Sequence, residues 1–146
     1  MTAVPQIRRR EGKLAPQTVA ALVADLNAKF GNRIVTSQAV REQHGHTTTW
    51  IANAPPDAVL FAQNRDDVIE AVRICARHDA PIVPFGTGSS LEGHVNALNG
   101  GLSIDFSQMN RVLEVHAEDL DCVVEPGVTR KALNTHLRDS GLFFPI

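Results

Sequence analysis

The segment Pro84-Phe85-Gly86-Thr87-Gly88-Ser89-Ser90-Leu91-Glu92-Gly93-His94 holds the residue types best suited to chemistry in this chain. It follows a short apolar run directly, so it reads as a loop leaving a buried strand. Gly86, Gly88 and Gly93 let the backbone take positive φ and approach a ligand closely. Thr87, Ser89 and Ser90 add hydroxyl groups. Successive N–H groups in such a turn form an anion-binding nest, suited to phosphate or pyrophosphate. Two familiar phosphate motifs fail here. The dinucleotide fingerprint G-x-G-x-x-G would begin at Gly86 and Gly88, but Leu91 stands at its third glycine, and no amphipathic helix follows. P-loop spacing fits Gly88 and Gly93, but His94-Val95 stand where Lys and Ser or Thr are needed. A loop of this composition without a cation must bind through main-chain donors, which suits a diphosphate held inside the protein. On composition alone, an ordinary strand connection with no ligand is an equal reading.

Other candidate groups are weaker. His44 and His46 could ligate a metal, but no third ligand stands nearby, and an exposed loop pair is the favoured reading. His116 reads as a strand residue and His136 as a helix-face residue, each with a structural role. Cys75 and Cys122 form neither a disulfide framework nor a zinc motif, and read as two reduced, buried thiols.

Two further strand-to-turn junctions lie downstream. One is Ile104-Asp105-Phe106-Ser107-Gln108-Met109-Asn110 and the other Val124-Glu125-Pro126-Gly127-Val128-Thr129; each ends in small or polar groups where a ligand could sit.

The elements that must position these loops follow from periodicity. Ala15 to Phe30 reads as an amphipathic helix stopped by Gly31. Thr36 to Thr49 reads as a short helix and then a loop. Pro55-Pro56 breaks the chain before a buried strand over Ala58 to Ala62. A helix opens at Asp66 and Asp67, whose charges suit its N-terminus, and Pro81 ends it. Pro81 to Phe85 is the next strand, so these pieces make a βαβ unit with a parallel pair. Leu102 to Phe106, Val112 to His116 and Asp121 to Glu125 then predict three consecutive strands in antiparallel or meander pairing. Thr129 reads as the N-cap of a helix from about Arg130 to Asp139, and Gly141 as its C-cap. The apolar ending from Leu142 to Ile146 reads as the start of a buried segment, so a piece of a longer protein is expected.

Bulk properties set the frame. The chain has 146 residues, 43% hydrophobic and 21% charged, an ordinary globular composition. With 10 Gly and 8 Pro it is neither disordered nor collagenous. A net charge of −2 lacks the basic excess of a nucleic-acid binder. No apolar run approaches a membrane span. Arg8-Arg9-Arg10 reads as a solvated lead-in, with organelle targeting the less favoured reading.

The segments PFGTGSSLEGH, IDFSQMNRVLEV and VVEPGVTRKALNTHL, in this order, resemble the FAD-binding domain of the vanillyl-alcohol-oxidase/p-cresol-methylhydroxylase superfamily. Within it, they are most similar to the cytochrome-dependent D-lactate dehydrogenase and glycolate oxidase flavoprotein-subunit group. The resemblance runs from about Asp57 to Ile146, and residues 1–50 form a helical lead-in to a domain portion at 51–146. It implies an α+β fold, a parallel βαβ subdomain followed by a mixed or antiparallel one, with FAD between them. It implies that Gly86, Thr87, Gly88, Ser89, Ser90 and Gly93 wrap the FAD pyrophosphate. Ser107, Met109 and Asn110, and Pro126 with Gly127, match turns near the cofactor. Some relatives bond the flavin through a histidine within the loop; Ser89 stands there, which implies non-covalent FAD. His94 lies later and is expected to hold the loop.

The implied activity is oxidation of a D-2-hydroxy acid, D-lactate or alternatively glycolate, with electrons passed to cytochrome c or a quinone-linked carrier. The implied location is mitochondrial in a eukaryote and otherwise cytoplasmic, with a peripheral place at the inner membrane as an option. The catalytic histidine and arginine groups of the family belong to a later cap domain and match nothing here. The competing expectation, if the chain is the whole protein, is a non-catalytic nucleotide- or phosphate-binding module.

Overall fold

The computed structural model describes residues 12–145. The Arg8 to Arg10 lead-in lies outside the described residues. Helix α1 spans Pro16–Phe30, with Pro at its first turn, where a missing N–H costs no hydrogen bond. Leu22, Leu26 and Phe30 recur every four residues and are buried along one stripe. A 3-10 turn at Gly31–Arg33 leads into β1, the two-residue strand Ile34–Val35. The periodicity gave no sign of β1, because two residues are too few to show an alternation. Helix α2, Gln38–Gln43, follows and is capped by His44.

Strand β2 (Ala58–Phe61), helix α3 (Arg65–Arg77) and strand β3 (Ile82–Phe85) form the expected unit. The α3 N-cap is Asn64, whose side chain accepts from the Asp67 amide at 2.9 Å. Asp67 is itself a tie point. Its carboxylate accepts from both terminal nitrogens of Arg33 and from the Gln63 amide. Burial works against its charge, but the Arg33 guanidinium and the amides prevail, so its pKa lies below the usual carboxylate range. This latch fastens the segment after α1 to the start of α3.

Strand β4, Leu102–Asp105, corrects the expected meander. It lies between β2 and β3 and is parallel to both, in the order β1-β2-β4-β3. The two strands of the βαβ unit are therefore parallel but not adjacent. The reason is burial: all four residues of β4 are buried, as in a central parallel strand covered on both faces. Of the three strands expected to form the meander, β5 (Val112–His116) and β6 (Asp121–Val124) pair antiparallel as a separate hairpin, and β1 adds an antiparallel edge to β2 in the larger sheet. Helix α4, Arg130–Leu137, has Thr129 as N-cap, and a 3-10 turn carries it to Gly141 in the left-handed conformation.

The core gathers Leu22, Leu26, Leu60, Ala71, Cys75, Leu102, Ile104 and Met109 between the helices and the sheet. Cys75 is buried, which pushes its thiol up to about 11. Cys122 is only half-buried, contrary to expectation. It sits on a two-stranded hairpin, which cannot cover both of its faces.

Candidate functional site

The sheet explains why distant motifs meet. Phe85 and Asp105 are paired in register at the carboxyl ends of adjacent parallel strands. The glycine loop leaves β3 and the Ser107 turn leaves β4 at the same edge, the usual ligand-binding edge of a parallel sheet. The Pro126-Gly127 turn forms a third wall. There the Gly127 amide donates to the Met109 carbonyl at 2.8 Å. Together these segments enclose a cleft of about 640 Å³, lined by Gly86, Thr87, Ser107, Asn110, Pro126 and Gly127 and by the start of α4. An adjoining hollow of about 490 Å³ shares Gly86, Thr87 and Ser107, adds Gly88, and has His44, Phe85 and Asp105 in its lining.

Not every residue singled out from the sequence reaches the cleft. The Met109 side chain is buried in the core, and its carbonyl alone serves the wall. Ser89, Ser90 and Gly93 lie further along the loop and shape it. The Thr87 and Ser89 hydroxyls bond to each other at 2.9 Å, and the Ser90 hydroxyl bonds to His94 Nδ1 at 2.7 Å. His94 thus holds the loop. Gly88 has φ +69°, and a Cβ on it would lie 2.8 Å from the Phe85 ring.

The donor set fits a diphosphate. Among the described residues, no main-chain carbonyl accepts from the amides of residues 86–90. No carboxylate lines the larger cleft, and Arg130, at the start of α4, is part of its lining. The sequence reading missed Arg130, because its place beside the loop depends on the turn at Gly127.

It also missed the most buried polar group at the site. His44 is 2% exposed rather than lying in an open loop. Its Nδ1 donates to the Val40 carbonyl at 2.8 Å, and its Nε2 lies 2.8 Å from Asp105 Oδ2. Burial disfavours the charged ring, yet the Asp105 carboxylate and the Val40 carbonyl outweigh it, and the His44 pKa is raised. Asp105 is likewise held below its ordinary value, against its burial, by His44 and by Ser107. A usable signal was present: a carboxylate in a strand that reads as buried needs a partner. His46 parts from His44, being exposed and 2.8 Å from Asn53 Nδ2 through its Nδ1. His116 pairs with Asp121 at 2.6 Å and Glu114 at 3.1 Å on the exposed hairpin. His136 is exposed on α4.

The FAD binding domain family matches residues 56–146, which contain all three walls. This chain belongs to the FAD binding domain family. A Danio rerio protein named probable D-lactate dehydrogenase, mitochondrial, is 44% identical over 140 residues, covering 95% of this chain and 28% of the relative. The Arabidopsis thaliana D-lactate dehydrogenase [cytochrome], mitochondrial, is 36% identical over 132 residues, covering 89% and 23%. The chain thus spans about a quarter of the length of these relatives. Among solved structures, p-cresol methylhydroxylase with substrate bound superposes with a TM-score of 0.78 at 22% identity, over 88% of this chain and 26% of that one. The α+β fold implied by the three motifs is thereby the fold of the chain, and FAD is the cofactor of its family.

Proposed function

We propose that this chain supplies the diphosphate-binding part of the FAD site in an enzyme that oxidises D-lactate, passing electrons to cytochrome c or a quinone-linked carrier. The observation that carries the reading is the convergence of three loops on one anion-suited cleft, in a chain 44% identical to a D-lactate dehydrogenase relative.

Each wall has its own task. The amides of Gly86, Thr87 and Gly88 are the donors to the diphosphate, Ser89 and Ser90 hold the loop behind them, and Gly93 lets it close. Ser107, Asn110, Pro126 and Gly127 form the facing wall, the Met109 carbonyl fixes Gly127, and Arg130 offsets the negative charge. Residues 1–50 then serve as lead-in to this portion at 51–146. Bound FAD would supply the acceptor for the hydride leaving the substrate's C2. No side chain of this chain is assigned the substrate's hydroxyl proton; His44 is buried and His116 is held by Asp121 and Glu114. With no covalent attachment residue at Ser89, the flavin is held non-covalently. The mitochondrial names of both relatives support a mitochondrial location if the source is eukaryotic. Among the described residues, no helix is long and apolar enough to cross a membrane.

The test is purification of the full-length protein, followed by absorbance, acid precipitation and dye reduction. Flavin absorbance, release of the flavin by acid and reduction driven by D-lactate are expected. Flavin that stays on the precipitate would refute non-covalent binding. Faster turnover of glycolate would move the substrate assignment to glycolate. Bound nucleotide without any hydroxy-acid oxidation would leave a binding module.

A further inference from the structure

We propose that the buried His44–Asp105 pair is a positioning device that sets the spacing between the two main walls of the cleft. This rests on reading the cleft as the FAD diphosphate site. The chemistry of the partners defines the pair. The Val40 carbonyl can only accept, so His44 Nδ1 carries a proton. The Asp105 carboxylate also accepts, at 2.8 Å from Nε2. Both ring nitrogens therefore donate, and the ring is an imidazolium facing a carboxylate.

Each half of the pair reaches one wall. Asp105 Oδ1 accepts from the Ser107 amide at 2.7 Å, which fixes the start of the turn after β4. The His44 ring packs on Phe85 with centroids 4.2 Å apart and meets Phe61 edge-on at 5.8 Å. Phe85 in turn lies under Gly88, 2.8 Å from where a Cβ would stand. A displacement at either member thus moves the Ser107 turn, the glycine loop or both. The pair is buried, at 2% and 5% exposure, so it acts through these groups. The raised pKa of His44 and the lowered pKa of Asp105 agree with this pairing.

The experiment uses the full-length protein with His44→Ala, His44→Gln, Asp105→Asn and Gly88→Val. FAD affinity of each apo-protein is read by flavin fluorescence, beside its unfolding midpoint without FAD. His44→Ala and Asp105→Asn should each weaken FAD binding about tenfold or more, because the supporting groups of a site must hold its donors closely. His44→Gln also loses the ring charge, but its amide can still donate to Asp105. It keeps the anchor of the Ser107 wall but not the ring contact to Phe85, so its FAD affinity should fall between those of wild type and His44→Ala despite a lowered midpoint, a partial rescue that loss of stability alone would not produce. Wild-type affinity in both His44→Ala and Asp105→Asn overturns the proposal. If those variants do not fold, Phe85→Leu keeps the pair and removes the ring beneath Gly88; it should weaken FAD similarly, and unchanged affinity there overturns the proposal. The Gly88→Val arm separates the two levels. Unchanged FAD affinity in Gly88→Val removes the cleft reading, and the role of the pair with it. Lost affinity in Gly88→Val alone leaves the cleft and removes the pair.

Discussion

Gly127 presses against the main chain of Phe106: a Cβ on Gly127 would lie 2.0 Å from the Phe106 carbonyl oxygen. The contact is backbone on backbone, so no rotamer change relieves it. It is held by the Gly127–Met109 hydrogen bond. Gly127→Ala should therefore push the third wall off the Ser107 turn. We expect a loss of about 1–3 kcal/mol in stability, read by urea unfolding, together with reduced flavin content after purification. Flavin content equal to wild type would show that the third wall takes no part in binding.

Gly88→Val tests the loop itself. A β-branched residue must adopt φ +69° and displace the Phe85 ring. Flavin absorbance per protein should fall sharply, while far-ultraviolet circular dichroism of the folded protein stays close to wild type.

The Arg33–Asp67 latch gives a stability prediction away from the cleft. Arg33→Ala leaves the buried Asp67 carboxylate with only the main-chain amides of Gln63 and Asn64 as donors. Chemical denaturation should show a loss of about 2–3 kcal/mol, the range for hydrogen bonds to a charged group. A change near zero would mean that solvent replaces the guanidinium.

Stability should depend on pH through His44 and Asp105. The His44 pKa is raised above 6.5 in the folded state, so the folded protein binds its proton more tightly. Its contribution is complete below 6.5, then declines and is gone above the folded value. Asp105 is lowered from 3.8, so its contribution is present above 3.8 and is lost as pH falls through the folded value. Thermal unfolding should thus decline on both sides, and His44→Gln should flatten the limb that begins near neutrality. An unchanged limb in that variant would assign it to another group.

The two thiols should separate by reactivity. Thiolate is the attacking species, and burial holds the Cys75 thiol up at about 11. Cys122 is half-buried on β6. Alkylation of the native protein, read by peptide mass spectrometry, should label Cys122 and spare Cys75 until the protein unfolds.

Helices were legible because their signals are local. Gly31 stops α1, Thr129 caps α4, and buried residues four apart mark the inner stripe of α1. The three walls were legible as motifs for the same reason. The partner of a strand is not local information. Nothing within Leu102–Asp105 says that it lies between two earlier strands: Leu-Ser-Ile-Asp alternates like a half-exposed strand, and the burial of Ser103 and Asp105 that marks a central strand shows only in the fold. His44 was misplaced because its neighbours Gly45, His46 and Thr47 are small or polar, while its partner Asp105 comes from another element. Arg130 was missed for the same reason, since only the folded turn brings it to the loop.

The late insertion of β4 constrains how the molecule can be made. Synthesis delivers β2 and β3 first, and the place between them is filled by Leu102–Asp105, which comes later in the chain. Pairing across so long a stretch of chain costs loop-closure entropy before any contact rewards it. The glycine segment is the tether between β3 and β4, so a ribosome must release it entirely before the sheet can lock. A nucleotide already at hand could then greet its cradle only after that final strand has slotted home.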